Sequence, residues 1–248
     1  MKKLIVLLFI LTLLLVYGVD PVRNRGSLRA LAVSNGVDLI WEAQTYVPPG
    51  YQGRTLPSSE SLVRVVAITS GLGNEKNLNF HWRKDGLDVK SASGAGKNAF
   101  DYRAAPSSGN LIEVTVTRPD GSIDASGAAR IPVAAPKIVF YEVKDGQIDY
   151  RRALKNLNLV TDQTKIIAEP FYFSLTDWLN HRLNFNWSAN QQKVEPATED
   201  PRFLTLITSA DSGTGETVLD LKITNADHPL QTATAKLPVS FGQSGFGF

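Results

Sequence analysis

The sequence predicts an all-β protein: two tandem β-sandwiches that follow an N-terminal hydrophobic helix. Three observations predict it. The motif Asn79-Phe80-His81-Trp82 returns as Asn184-Phe185-Asn186-Trp187, with similar residues in the same order around each copy. Apolar and polar residues alternate over short runs bounded by Gly, Pro, Asn, Asp and Ser, the pattern of half-buried strands between turns. Helical periodicity is almost absent beyond the N-terminal segment. A chain of 248 residues, 43% of them hydrophobic, can bury two small cores. Trp82 and Trp187 are the expected centres of those cores. The expected boundaries are a signal peptide or anchor helix over 1–20, a linker over 21–36, sandwiches over 37–135 and 136–242, and a Gly/Phe tail over 243–248.

Met1-Lys2-Lys3 is a basic head. It precedes an apolar run from Leu4 to Val16 that only Thr12 interrupts and that Tyr17-Gly18-Val19 extends. This is the layout of an export signal. The run is shorter than the ~20 residues of a bilayer span. Val16 and Gly18 are small residues of the kind that precede a cleavage point. Two outcomes stay open, a cleaved signal or a retained membrane anchor. In both, Lys2 and Lys3 remain on the cytoplasmic side and everything after Asp20 is exported. Pro21 to Asn35 is polar and reads as a tether.

In the first repeat, Asp38–Ala43 reads as a strand. Tyr46-Val47-Pro48-Pro49-Gly50-Tyr51 follows as an extended segment, because two prolines stop regular pairing. Leu62–Ala67 is rich in β-branched residues. Leu78, Phe80 and Trp82 alternate with Asn79 and His81, which turns His81 to solvent. Lys84-Asp85-Gly86 has turn chemistry. Ser91–Asn98 is a Gly/Ser loop, and Ala99–Tyr102 a short strand. Leu111–Thr117 is the clearest strand, with Ile112, Val114 and Val116 on one face. Pro119-Asp120-Gly121 makes a hairpin, and Ala128–Val133 closes the domain.

The second repeat offers six matches in the same order. Ile138–Glu142 stands for the first strand, with Tyr141-Glu142 in the place of Trp41-Glu42. Tyr150 and Leu154 fall where Tyr51 and Leu56 fell. Ile166-Ile167-Ala168 answers Val65-Val66-Ala67. Leu183, Phe185 and Trp187 answer Leu78, Phe80 and Trp82. Val218–Thr224 answers the strand ending at Thr117, and Ala235–Val239 answers Ala129–Val133. Tyr150–Leu157 could form a helical turn.

A Trp on a middle strand followed by Lys-Asp-Gly, as in Trp82–Gly86, resembles the C strand and following turn of immunoglobulin-like domains. Ser108–Thr117 resembles their late F strand. The resemblance covers most of 37–242 and is shared by polycystic-kidney-disease-type and fibronectin-type variants. The second copy departs from it, with Ser188-Ala189-Asn190-Gln191 in place of the Lys-Asp-Gly turn. The pattern as a whole resembles exported bacterial proteins with tandem immunoglobulin-like domains, which implies a cell-envelope setting and no particular activity.

Chemistry is sparse. A net charge of +2, with 26 basic residues scattered along the chain, leaves no footprint for nucleic acid. With no cysteine there is no disulfide, thiolate metal site or cysteine nucleophile. His81, His181 and His228 stand in unrelated contexts, without zinc-ligand spacing. No Gly-x-Ser-x-Gly elbow is present. Gly94-Ala95-Gly96-Lys97 is followed by Asn98 where a phosphate loop needs Ser or Thr, so it reads as a hairpin loop. Asp85, Asp88, Asp120 and Asp124 read as turn residues rather than calcium ligands. Asn186-Trp187-Ser188 fits a glycosylation acceptor but lies in a core strand. No cofactor, metal or catalytic residue is expected, and the chain is read as non-enzymatic.

The candidate partner surface combines Tyr46, Pro48, Pro49 and Tyr51 with Phe171 and Tyr172 of the run Pro170–Phe173, and with Trp178 in an expected loop. So dense an aromatic run must be partly buried. Burial within its own domain or between domains is favoured over burial in a partner. The function expected is a structural or interaction protein of the cell envelope, presenting its two domains outside the cytoplasmic membrane as accessory to a surface appendage or secretion assembly. A protein partner is expected, with membrane attachment through the N-terminal segment. The alternatives are a carbohydrate-binding or adhesin module, with Trp178 as the glycan-stacking residue, and a periplasmic pilus-type chaperone. The last lacks its alternating donor strand with flanking basic residues.

Overall fold

The computed structural model describes residues 36–106, 110–174, 182–208 and 213–242. The N-terminal segment, Trp178, His181 and the Gly/Phe tail lie outside them. The described residues fall within one compact unit.

Eight strands make the first sandwich: β1 (Gly36–Ala43), β2 (Leu62–Ser70), β3 (Asn79–Lys84), β4 (Leu87–Asp88), β5 (Gly94–Ala95), β6 (Ala99–Arg103), β7 (Asn110–Thr117) and β8 (Ile123–Ile131). They form two sheets, β1-β2-β6 and β4-β3-β7-β8, with β5 beside β3. This is the A-B-E against C′-C-F-G arrangement of immunoglobulin-like sandwiches. The second sandwich has β9 (Lys137–Lys144), β10 (Gln147–Leu154), β11 (Leu157–Leu159), β12 (Gln163–Phe171) and β13 (Leu183–Ala189). It continues with β14 (Gln192–Val194), β15 (Phe203–Ile207), β16 (Gly215–Asn225) and β17 (Thr232–Phe241). Its sheets run β10-β9-β12-β15 and β11-β17-β16-β13-β14. The same arrangement recurs, with β11 added parallel to β17 and β10 added beside β9.

Each core is built around its tryptophan. Trp82 is 1% exposed and Trp187 2%. Each indole N–H donates to a carbonyl on the crossing that leads to the opposite sheet: Trp82 Nε1 to Lys97 O at 2.9 Å, and Trp187 Nε1 to Pro201 O at 2.9 Å. Burial of so large a ring is affordable only when its one donor is paired. Around Trp82 pack Val63, Val65, Phe80, Phe100, Ile112, Val114 and Val116. Around Trp187 pack Phe140, Ile166, Phe173, Leu219, Leu221 and Ile223.

The registers support the duplication residue by residue. Asn79 pairs with Thr117 and Trp82 with Val114, while Asn184 pairs with Thr224 and Trp187 with Leu221. Even the altered turn is the same turn. Asp85-Gly86 closes β3 onto β4 with φ of 52° and 80°, and Asn190-Gln191 closes β13 onto β14 with φ of 49° and 69°. Two positive φ values in a two-residue loop define the turn whose twist matches that of the strands, and Asn is among the few side chains that accept it.

Three expected matches need correction. Phe140 pairs with Ala168 as Leu39 pairs with Ala67, so Tyr141 stands where Ile40 does and not in the place of Trp41. A slip of one residue reverses the face of a strand. Trp41 packs on the first core, while Tyr141 faces away from the second. In the last strand the slip is two residues: Gly127 pairs with Val114, and Ala235 with Leu221. That preserves the face and shifts only the partner. Finally, Tyr150–Leu154 is part of strand β10 and not a helical turn, so Tyr150 has no counterpart in loop residue Tyr51. Asp145-Gly146, with φ of 51° and 76°, folds β10 back onto β9.

Candidate functional site at the joint between the sandwiches

Strand β12 carries the joint. Ile166 and Ala168 point into the second core, while Ile167, Glu169 and Phe171 alternate onto the other face. A strand covered on both faces reads as a continuous apolar run, which accounts for the density of Ile166–Phe173. The covering layer comes from the first sandwich, where the two prolines keep residues 44–57 out of both sheets. Val47 and Leu56 pack with Tyr141, Ile167, Phe171 and Tyr172. Two backbone bonds tie the layers together: Tyr46 N donates to Phe173 O at 2.8 Å, and Tyr172 N donates to Tyr46 O at 2.7 Å. Tyr172 sits at φ 64°, a conformation a bulky residue adopts only under surrounding constraint.

Glu169 is fully buried in this joint. Tyr46 donates to its Oε2 at 2.7 Å from the first sandwich, and Tyr150 donates to its Oε1 at 2.8 Å from β10. Arg202 approaches Oε2 at 3.4 Å and also grips Asp200, Nε to Oδ1 at 3.0 Å and Nη2 to Oδ2 at 2.7 Å. A buried carboxylate is tolerable when donors surround it in this way. A second tie is neutral. Gln231, also fully buried, donates to Ser59 O at 2.7 Å and to Ser174 Oγ at 2.8 Å, and accepts from Ser174 N at 2.8 Å.

The structure gathers Tyr46, Tyr51, Phe171 and Tyr172 in one place. Phe171 and Tyr172 are buried. Tyr51 meets Phe171 edge to face at 5.4 Å and Tyr172 hydroxyl to hydroxyl at 3.0 Å, and stays 40% exposed. Pro48 is buried and Pro49 exposed. Lys137 Nζ lies 5.2 Å from the Phe171 ring centre. Trp178 is outside the described residues. Sequence reasoning missed Glu169, Tyr150, Arg202 and Gln231. Glu169 had a signal, since it is the only charge in the apolar run Ile166–Phe173, and an acid in such a run is buried with a partner.

The carboxylate of Glu169 is sealed from solvent, so it holds the joint and cannot meet a substrate. Among the described residues no cluster of three His, Cys, Asp or Glu could hold a metal ion. Among them, too, no helix is long and apolar enough to cross a membrane.

The tyrosines make the joint sensitive to alkali. Burial, and then the bond to Glu169, raises the Tyr46 hydroxyl far above its ordinary value, and the same causes raise Tyr150. Burial, followed by the bond with Tyr51, pushes Tyr172 up to about 12. In the unfolded chain a tyrosine ionises near pH 10. Folding therefore favours the neutral forms. Their contribution is complete below about pH 10 and is lost as the pH rises from there through 12. The urea midpoint is expected to fall steeply above pH 10, with a shallower fall in Tyr46→Phe. A midpoint that stays flat up to pH 11 would show that these hydroxyls do not titrate with the joint.

No protein-family model matches the chain, and no curated protein sequence matches it. Solved structures with some similarity include fibronectin(III)-like modules and immunoglobulin-domain tandems. The fibronectin(III)-like modules of Clostridium thermocellum CbhA are 7% identical, covering 84% of this chain and 97% of that one at a TM-score of 0.27. Sidekick-1 immunoglobulin domains 1–4 are 11% identical, covering 81% and 74% at 0.28. The Bacteroides ovatus protein SGBP-B, in complex with a mixed-linkage heptasaccharide, is 11% identical, covering 80% and 47% at 0.26. At scores this low, the immunoglobulin-like description of this chain rests on its strand order, its registers and its two core tryptophans.

Proposed function

We propose that this chain is a non-enzymatic structural or interaction protein of the cell envelope, which holds two immunoglobulin-like domains outside the cytoplasmic membrane as one stiff unit. The observation that carries the reading is the buried joint. Flexible tandem domains meet through small, polar contacts. Here an apolar cluster, a sealed carboxylate with three donors and a two-bond backbone ladder hold the sandwiches together. Such a body suits a spacer or scaffold whose partners need a fixed geometry. The lysine-headed apolar run Leu4–Val16 supplies the export half of the reading.

Fractionation of the expressed protein, with intact mass of the product, tests this. Full-length mass in the membrane fraction establishes a retained anchor. A soluble exported product beginning near Val19 establishes cleavage. The full chain found in the cytosol would sink the export reading and the envelope partner with it.

A further inference from the structure

Strand β15 is the last strand of the sheet β10-β9-β12-β15. Its bonds to β12 fix which backbone groups point to the open edge. Ala168 N donates to Arg202 O and Thr208 N to Asp162 O, both at 2.9 Å. In an antiparallel pair such bonds recur at every second residue, so Leu204 and Leu206 also turn their groups to β12. Phe203, Thr205 and Ile207 turn theirs outward. Phe203 N is taken by Asp200 O at 3.2 Å. Its carbonyl, and both groups of Thr205 and Ile207, meet no strand on that side among the described residues.

The counterpart of β15 in the first sandwich is β6, since Val65 pairs with Phe100 as Ile166 pairs with Leu204. Thr205 therefore stands where Asp101 does, and Ile207 where Arg103 does. Charges at such positions guard a sheet edge against added strands. The outer strands β10 and β14 of the second sandwich carry exposed Arg151 and Lys193. Strand β15 carries no charge, and its Ile207 is 75% exposed.

The sequence of β15 is also its own complement. Laid antiparallel to a second copy about Thr205, Phe203-Leu204-Thr205-Leu206-Ile207 sets Phe203 against the partner's Ile207, Leu204 against the partner's Leu206, and Thr205 against its own copy. Aromatic with β-branched, and Thr with Thr, are among the favourable cross-strand pairs. The leucine pairs fall on the inner face, beside an apolar groove of about 220 Å³ whose described lining holds no charge. The same register on β6 would oppose Asp101 to its own copy, a destabilising contact of like charges.

We propose that β15 is a dimerisation edge. Two copies of this chain pair it antiparallel about a two-fold axis at Thr205, which joins their four-stranded sheets into one. Each Thr205 exchanges both backbone bonds with its copy, and each Ile207 N–H reaches the partner's Phe203 carbonyl. The two-fold contact occupies both edges, so association through it stops at the dimer.

The absence of cysteine gives a clean test on the protein as the cell yields it. Thr205→Cys places one thiol in each copy, with α-carbons about 5.5 Å apart in the paired strands. A short bis-maleimide should link these thiols into a covalent dimer. Asp101→Cys, the matching position of the first sandwich, should stay monomeric under the same treatment. Sedimentation over a concentration series measures the dimer without a thiol. Ile207→Arg restores the kind of charge that β6 carries, on a side chain exposed enough to leave the fold intact. It should raise the dimer dissociation constant roughly a hundredfold, about a decade for each of the two symmetric isoleucines that lose their burial. Equal linking of Thr205→Cys and Asp101→Cys would reveal collision alone and overturn the proposal. A dimer that survives Ile207→Arg unchanged would also overturn it and belong to another surface. A monomer at every concentration would overturn it too, and leave the edge to a strand from a different protein.

Discussion

Glu169→Ala is expected to destabilise the protein by about 2–5 kcal/mol, because two tyrosine hydroxyls lose their acceptor at about 1–3 kcal/mol each. The carboxylate accepts from Tyr46, Tyr150 and Arg202, and all three converge on a site with no exposure. Alanine strands two hydroxyls, while Arg202 keeps its grip on Asp200. Glu169→Gln keeps the shape and one acceptor oxygen, so its cost should be smaller. The loss should also change how the molecule unfolds. The indole N–H resonances of Trp82 and Trp187 report the first and the second core, so a urea titration followed by NMR tracks each sandwich separately. The native protein is expected to show coincident transitions, and Glu169→Ala two that separate. Coincident transitions within about 0.5 kcal/mol of the native value, the range of an ordinary surface substitution, would mean that the joint is held by its apolar cluster alone.

Trp187→Ala is expected to cost about 3–5 kcal/mol through lost burial and the cavity left behind. Trp187 packs in the second core with its ring tilted 40° to that of Phe140, the centres 5.9 Å apart. Its N–H also holds the crossing at Pro201, one residue before Arg202, so the loss reaches the joint. Trp82→Ala should cost as much in the first sandwich without touching that network. Trp187→Phe separates the terms, since it keeps most of the apolar area and loses the bond to the Pro201 carbonyl, at about 1–3 kcal/mol. Hydrogen exchange should show protection lost first in β13 and β16 for Trp187→Ala, and in β3 and β7 for Trp82→Ala. Equal loss in both sandwiches from either variant would show that their cores are not separate.

The parts of this fold that were legible are those where one residue type does one job. Two tryptophans on alternating strands, and the run Leu111–Thr117, located the C and F strands of both sandwiches, because burial on one face writes a period of two into the sequence. The Asp-Gly pair at 145–146 carries as plain a turn signal as the one at 85–86, and the reading of the run after it as a helical turn passed that signal over. Tyr141 was misplaced by one residue because both faces of β9 are covered, one by the core and one by the joint. Alternation then carries no information about which face is which. The joint was only half visible for a similar reason. Aromatic density showed that Phe171 and Tyr172 had to be covered, but Tyr46 and Glu169 are 123 positions apart, and nothing local in either stretch names the other.

Each core tryptophan spans 14 or 15 positions with a nitrogen-to-oxygen contact, in a chain that has no cysteine and whose only methionine is Met1. Completion of either sandwich therefore consumes no oxidant and needs no isomerase to correct mispaired thiols. The redox poise of a compartment, which decides the fate of disulfide-dependent domains, has no lever on this one. Reductants should leave its melting curve where it is, and peroxide finds no sulfur in the folded strands.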